Sequence, residues 1–290
     1  MHRLLSVLAC AALLASCVPP EKEENLGKRW DETTVMGELQ QRGSIRIGAS
    51  TDSLTRLQDG EPGGYDSFTE DFALYLADTL KVDPEIVEVP SSQLSTGIDT
   101  GDIDIAFPLQ VVTEQLVRQR SFTDPLLITH QRLLVEKGSG IEQAGDLAGQ
   151  EVCGILDETG LDLSTVDPTI DQRTERDPTV CAAALLRGEV VAVTGQDVVL
   201  TSLLARIEEV CRDGDCATGY EITGDQLTTG GLSAMVVSGA QAWTDYVSLV
   251  LQQWKEDGGW DEAYVESLGP ESPGPPDLTI EESAALYPRG

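Results

Sequence analysis

The stretch Ile103-Asp104-Ile105-Ala106-Phe107 is dominated by apolar side chains and predicts a short buried β-strand. Two earlier stretches, Ile45-Arg46-Ile47-Gly48 and Ile86-Val87-Glu88-Val89, predict two strands before it. Apolar side chains at helical spacing predict a helix over about 70–80, between the first two strands, and a second helix is predicted to end near Thr100-Gly101. This β-α-β-α-β order predicts a mostly parallel sheet covered by helices.

A second α/β run occupies the middle of the chain. Its predicted strands cover 132–136, 151–155, 190–194 and 232–237, and its predicted helices cover 178–186 and 197–209. A helical stripe of apolar side chains from Trp243 to Trp254 is assigned to core packing. Two α/β runs in one chain predict two lobes, because single domains usually span about 100–150 residues.

The chain begins with the order of an export signal rather than of mature structure. The apolar run from Leu4 to Leu14 is far shorter than the ~20 residues that span a bilayer. Leu14-Ala15-Ser16-Cys17 resembles the lipobox of bacterial lipoproteins, in which the cysteine is acylated and becomes the first residue. We therefore expect residues 1–16 to be a signal peptide, and residues 17–34 to be a lipidated cysteine and a polar tether on the outer face of the cell membrane. An ordinary signal peptide with a chance cysteine is the alternative.

The composition is that of an acidic globular protein. It has 50 acidic and 19 basic residues, which give a formal net charge of −31 at pH 7. Such a surface repels nucleic acid and anionic lipid headgroups, so neither is expected as a partner. A solvated acidic surface or adaptation to salt is the simpler explanation of this charge, and attraction of cationic solutes is the other.

Four cysteines remain after Cys17, and an even number in an exported chain predicts disulfides. Cys211 and Cys216 flank a turn-forming Arg-Asp-Gly-Asp insert, so we pair them with each other and Cys153 with Cys181. No metal site is expected, because the spacings lack the paired short knuckles of a zinc site and no histidine lies nearby. The longer loop should stabilise the fold by about 3.5 kcal/mol and the shorter one by about 2 kcal/mol.

Six motifs stand in register along most of the chain. They are Gly43-Ser44-Ile45-Arg46-Ile47-Gly48, Asp71-Phe72-Ala73, Leu94 to Phe107, Thr113-Glu114 with Phe122-Thr123-Asp124-Pro125, Asp146-Leu147-Ala148-Gly149 and Lys255-Glu256-Asp257-Gly258-Gly259. In this order they resemble the family 3 extracellular solute-binding proteins, the polar amino-acid receptors of ABC importers. The resemblance covers about residues 35–269.

This resemblance implies the α/β type 2 periplasmic-binding-protein fold, in which two lobes, each a mostly parallel sheet flanked by helices, close on a ligand. Lobe 1 would hold residues 35–128 and 232–269, lobe 2 would hold residues 129–231 with both disulfides, and the Pro-rich residues 270–290, with one weak helical patch, would form a tail. The two hinge crossings are then expected near Leu126 to His130 and near Leu232 to Val236.

The ligand-binding positions depart from the family pattern. The arginine that holds the ligand carboxylate in the family is Leu116 here, and a hydroxyl that assists it is Val111. The aspartate that receives the ligand ammonium is Gln196, with Asp197 beside it. Because a buried unpaired charge costs several kcal/mol, an ordinary zwitterionic amino acid is disfavoured. Either Arg120 reaches back to replace the missing arginine, or the ligand is cationic or neutral.

The turn that meets the ligand from lobe 2 in the family is Asp157-Glu158-Thr159-Gly160, which adds negative charge. Its carboxylates are either contacts for a cationic ligand or solvated groups at a helix start. Phe68 is either an aromatic wall of the site or a core residue. The candidate ligand-binding residues are Ser50, Asp52, Phe68, Leu109, Val111, Leu116, Arg120, Asp157, Glu158, Thr159, Gln196 and Asp197.

No catalytic motif is present, and the one histidine after the signal peptide, His130, lies in the expected hinge. We therefore expect a monomeric, lipid-anchored receptor without cofactor, which passes an amino-acid-like or cationic solute to an ABC permease. A receptor that signals to a membrane sensor and moves no solute is the alternative. A lyase or dehydratase with Glu158 or Asp157 as its base is the less favoured one.

Overall fold

The computed structural model describes residues 25–55, 63–155, 162–212, 218–269 and 273–287. Within these ranges the chain forms one mixed sheet flanked by helices. The strands are β1 (Ser44–Ser50), β2 (Asp83–Val89), β3 (Ile105–Ala106), β4 (Ser121–Glu136), β5 (Glu151–Ile155), β6 (Asp171–Glu175), β7 (Ala192–Gln196) and β8 (Tyr220–Val236). The helices are α1 (Val35–Arg42), α2 (Tyr65–Leu80), α3 (Ser91–Thr100), α4 (Glu114–Gln119), α5 (Pro178–Leu186), α6 (Asp197–Cys211), α7 (Gln241–Glu256), α8 (Gly259–Ser267) and α9 (Ile280–Leu286).

The order of strands in the sheet is β2-β1-β3-β8-β4-β7-β5-β6. Lobe 1 is built on β1, which pairs in parallel with β2 and β3, and lobe 2 on β5, which pairs in parallel with β6 and β7. The long strands β4 and β8 pair antiparallel and run through both lobes. This topology confirms the two-lobed α/β fold.

The two strands cross between the lobes where residues 128–131 of β4 pair with residues 228–231 of β8. The predicted first crossing, Leu126 to His130, overlaps this stretch. The second crossing, predicted near Leu232 to Val236, begins one residue after this stretch and extends too far into lobe 1, because Val236 pairs with Ile105 of β3. The sequence signal covered only the apolar, C-terminal part of β8, whereas the crossing itself is made of threonine and glycine.

Aromatic side chains fill the core of lobe 1. The ring centroids of Phe68 and Phe72 lie 5.5 and 5.2 Å from that of Trp254 on α7, and Phe68 lies 5.6 Å from Trp260 on α8. Trp243, at the start of the predicted helical stripe, is also buried. The stripe is therefore core packing, as predicted.

Local signals placed some helix boundaries better than others. Helix α5 has the predicted bounds, because Asp177 caps it by accepting the Thr179 amide at 2.9 Å and a proline occupies its first position. Helix α2 begins at Tyr65, five residues before the predicted start at 70. Thr69, the residue directly before the predicted start, lies inside the helix and donates a hydrogen bond from its hydroxyl to the Asp66 carbonyl.

The disulfide between Cys153 and Cys181 is present and joins β5 to α5 inside lobe 2. Both cysteines are fully buried. Cys211, at the end of α6, is also disulfide-bonded, while Cys216, its predicted partner, lies outside the described residues. The first pairing is thus confirmed, and the second stays a prediction.

The predicted tether is shorter than residues 17–34, because residues 25–34 pack against lobe 1. The carbonyl of the buried Leu26 accepts hydrogen bonds from the Tyr246 hydroxyl at 3.1 Å and from the Trp30 indole at 3.4 Å. Cys17 and the signal sequence lie outside the described residues. Among the residues that are described, no helix has the length and apolar character needed to cross a bilayer.

Candidate functional site

The candidate site lies where the parallel strands of both lobes run up to the crossing strands. Strand β3 runs toward the crossing from lobe 1, because it pairs antiparallel with the end of β8. Strand β7 runs toward it from lobe 2, since its last residue, Gln196, pairs with Gln131 of β4. Ligands of open α/β sheets bind at such carboxyl ends of strands.

Asp197 lies at this place, directly after β7 and at the first residue of α6. One carboxylate oxygen accepts hydrogen bonds from the Thr129 hydroxyl at 2.6 Å and the Val198 amide at 2.9 Å. The other oxygen lies 3.1 Å from Nδ1 of His130, which donates to it. The side chains of Asp197 and His130 are 25% and 20% exposed, so solvent reaches the pair. A carboxylate has about four acceptor positions, which leaves room for a ligand donor.

Buried amide side chains lie beside this carboxylate. Gln131 and Gln196 are only 4% and 5% exposed. The Gln131 side chain donates a hydrogen bond to the Thr194 hydroxyl at 2.9 Å. Buried amides of this kind orient a ligand through hydrogen bonds without supplying charge.

The two lobes touch next to the site. Gly64, just before α2 in lobe 1, lies so close to the Ser202 hydroxyl on α6 that a methyl group at position 64 would overlap it. Burial, and then the negative charge of Asp197, raise the pKa of Tyr264 on α8 of lobe 1. These contacts define a closed arrangement in which α6 bears directly on lobe 1.

The predicted rescue by Arg120 is contradicted by the structure. Arg120 follows the end of α4 in an extended conformation, and its guanidinium makes two hydrogen bonds to Asp99 on α3, at 2.9 and 3.1 Å. It therefore does not reach back toward Leu116. Leu116 itself is half-buried and packs against apolar side chains of lobe 1.

Ser50 is the last residue of β1 and Asp52 follows the strand, but both bind protein groups. The Asp52 carboxylate accepts hydrogen bonds from the backbone amide of Ser91 at 2.7 Å and from its hydroxyl at 2.8 Å. These bonds, above all the one from the backbone, lower the pKa of Asp52. Asp52 therefore caps the start of α3, and the Ser50 hydroxyl, 2.9 Å away, supports it.

Three apolar candidates lie in packed surroundings. Phe68 is fully buried in the aromatic core of lobe 1, so its prediction as a wall of the site is wrong. Val111 is 3% exposed and packs on Gly230 of the crossing strand. Leu109 is half-buried and packs against the main hydrophobic core.

Asp157, Glu158 and Thr159 lie outside the described residues. Sequence reasoning missed Thr129 and Gln131, although a run of polar side chains in the otherwise apolar β4 marks them. Within the described ranges, no three His, Cys, Asp or Glu side chains are grouped so that they could hold a metal ion.

Comparison with known proteins places these features in a family. Residues 45–270 match the family described as bacterial extracellular solute-binding proteins, family 3. The ABC transporter glutamine-binding protein GlnH of Bacillus subtilis is 25% identical over 267 residues, which cover 90% of this chain and 93% of that protein. The glutamate-binding protein GluB of Corynebacterium glutamicum is 25% identical over 245 residues, which cover 80% of this chain and 81% of that one.

Solved structures show the same fold. An ancestral cationic amino acid solute-binding protein superimposes with a TM-score of 0.66 at 20% identity, over 81% of this chain and all of that one. The family match spans most of the chain and both lobes. This protein therefore belongs to family 3 of the bacterial extracellular solute-binding proteins.

Proposed function

We propose that the protein is the receptor of an ABC importer, held at the outer face of the membrane by lipid on Cys17, and that it binds a small cationic solute that lacks a carboxylate. Membership of the family supports the receptor role. The observation that carries the ligand class is that Asp197 offers a carboxylate at the crossing. The resemblance to the family also implies that Leu116 takes the place of the family arginine.

The energetic argument concerns the charges that leave water when the lobes close. Loss of one partner from a buried ion pair costs about 2–5 kcal/mol, which corresponds to roughly one and a half to three and a half decades of affinity. An α-amino acid would bring its carboxylate to the apolar side chain of Leu116 at this cost. An amine without a carboxylate avoids it and still meets the negative charge of Asp197. The net charge of −31 also favours the approach of a cation.

The related proteins named for glutamine and glutamate bind ligands that carry an α-carboxylate. At 25% identity, the fold and the hinge mechanism are expected to be shared while the ligand differs. The resemblance implies that both charged positions are replaced, by Leu116 and Gln196, and we propose on this ground a change of ligand rather than a weakened version of the same one.

A thermal-unfolding screen of the full chain tests this proposal. We expect alkyl amines and guanidines without a carboxylate to raise the melting temperature more than glutamine, glutamate or arginine do. Ligand at about 100 times its Kd stabilises a protein by about 2.7 kcal/mol. The substitution Asp197→Asn should abolish this shift without unfolding the protein, because the amide oxygen still accepts from Thr129 and Val198.

The control is Asp171→Asn, which makes the same charge change on the exposed edge strand β6 and should leave the shift unaltered. The largest shift coming from glutamine, glutamate or arginine would contradict the proposed ligand class. An amine shift that survives in Asp197→Asn would contradict the proposed role of Asp197.

A gain of function is expected from Leu116→Arg. It restores a cation at the family position, so affinity for glutamine or glutamate should rise about tenfold, the worth of one charge-assisted hydrogen bond. Isothermal titration calorimetry measures the change. Gln115→Arg, on the exposed side of α4, adds the same charge and serves as the control. Equal affinities in the two variants would show that position 116 does not face the ligand carboxylate.

A further inference from the structure

The last described segment of the chain, residues 273–287, is attached to lobe 1 and is here named the C-terminal strap. The ammonium of Lys255 on α7 donates to the Pro276 carbonyl of the strap at 2.7 Å and to the Pro125 carbonyl of β4 at 3.2 Å. Burial lowers the pKa of Lys255 to about 8, so these two carbonyls replace much of its lost water. The Asp124 carboxylate accepts the Ile280 amide at 3.0 Å. The strap is thus fixed to both α7 and β4.

Helix α9 ends the strap and packs inward. A capping box between Thr279 and Glu282 starts the helix, which gives so short an element a defined beginning. Ile280 packs against the apolar cluster of lobe 1 that contains Phe122 and Met235. Ser283 is fully buried although it is polar, which shows how closely α9 approaches the sheet.

The buried Ser283 of α9 packs against the crossing strand β8. A methyl group at Gly231 of β8 would overlap the Ser283 hydroxyl and would stand 3.1 Å from Cβ of Pro125. On the opposite face of the strand, a methyl group at Gly230 would overlap Val111. Neither glycine has a positive φ, so both are required by space rather than by backbone conformation. The Gly230-Gly231 pair is therefore packed from both faces of β8.

The contact between α9 and Gly231 lies beside the crossing, and this position determines how the contact acts on the movement of the lobes. Gly231 and Gly230 pair with residues 128 and 129 of β4, at the passage between the lobes, and the Gly231 carbonyl accepts the Val112 amide of lobe 1 at 2.9 Å. Directly on the lobe 2 side, the ladder is irregular: Thr228 pairs with Gln131, and the next pair joins Thr223 to Leu133. Such a bulge has fewer ladder hydrogen bonds and bends more easily than regular strand.

We infer that the C-terminal strap clamps β8 to lobe 1 at Gly231, so that lobe 2 swings about the irregular stretch 223–228 and the strap sets the balance between open and closed lobes. Without the strap, the flexible Gly-Gly pair would join the hinge. The strap is therefore a conformational device of the two-lobed fold. Its test uses the ligand-free protein, so it does not depend on the ligand class proposed above.

The experiment is a pulsed EPR measurement of the distance between spin labels on Leu74→Cys in lobe 1 and Val180→Cys in lobe 2, both of which are exposed positions. We expect a chain that ends at Gly269 to give a broader or shifted distance distribution than the full chain. We expect Gly231→Ala to give a similar change, because its methyl group displaces Ser283. Adding Ser283→Gly should restore the original distribution, since it removes the overlapping hydroxyl.

Gly145→Ala is the control, because no atom outside residue 145 and its two chain neighbours lies within 4 Å of the added methyl group, and it should leave the distribution unaltered. An unchanged distribution in the shortened chain would overturn the inference. A change in Gly231→Ala that Ser283→Gly does not reverse would also overturn it. If Gly231→Ala does not fold alone, a folded double variant with the original distance distribution supports the clamp. If the double variant does not fold either, the distance distribution of the shortened chain decides the test.

Discussion

The substitution Ser202→Trp is expected to reduce ligand affinity by up to about 150-fold while leaving both lobes folded. Ser202 on α6 faces Gly64 of lobe 1 without room for even a methyl group. An indole at this position overpacks only the closed state, because the two residues separate when the lobes open. Overpacking costs about 1–3 kcal/mol, and every 1.4 kcal/mol is about tenfold in affinity. The variant should therefore favour the open state.

Calorimetric titration measures the affinity of Ser202→Trp, and small-angle X-ray scattering measures its radius of gyration, which should be larger than that of the native protein. Ala205→Trp is the matched control, since it adds the same side chain on the exposed face of the same helix. The expected result requires that the control bind normally. Native affinity in Ser202→Trp would mean that ligand is held without closure at this contact, and the hinge mechanism would have to be abandoned for this protein.

Removal of the disulfide between Cys153 and Cys181 is expected to destabilise lobe 2 by about 3.5 kcal/mol. The bridge closes a loop with a sequence separation of 28, and its loss returns that conformational entropy to the unfolded chain. The variant Cys153→Ala with Cys181→Ala should therefore unfold at lower urea concentration. Amide hydrogen exchange should accelerate in β5 and β7 but not in β1 and β3, because the bridge lies entirely within lobe 2.

The control is the pair Cys211→Ser with Cys216→Ser, which is predicted to open a much shorter loop and so to cost only about 2 kcal/mol. Exchange that accelerates equally in both lobes would show that they unfold as one unit. A native urea midpoint in the Cys153 and Cys181 variant would show that the bridge adds nothing to stability.

Prediction from sequence succeeded where the signal is local. Helix α5 was bounded correctly because a capping aspartate and a proline mark its start. The stripe from Trp243 to Trp254 was assigned to the core correctly because a period of 3.6 residues needs no tertiary information. Prediction failed for β6, whose five residues are polar because it is the solvent-exposed edge of the sheet, where apolar alternation is absent.

At the candidate site the sequence identified positions but not contacts. Leu116 and Gln196 are identified by counting from family motifs, and their departure from the family pattern stays a prediction. Arg120 was expected to serve the ligand because it lies four residues beyond Leu116, but α4 ends before it and Asp99 attracts its guanidinium. Phe68 was ambiguous between wall and core, since an aromatic side chain near a helix start satisfies both.

The sequence by itself determined the family, one disulfide and the order of most strands and helices, because each depends on neighbouring residues or on fixed spacing. Only the tertiary structure decided that Thr129 and His130 hold Asp197, that Ser202 meets Gly64 and that α9 rests on Gly231. Each of these contacts joins residues whose distance depends on how two long strands are aligned in the sheet. That alignment is set by the packing of the whole fold, which no local stretch of sequence encodes.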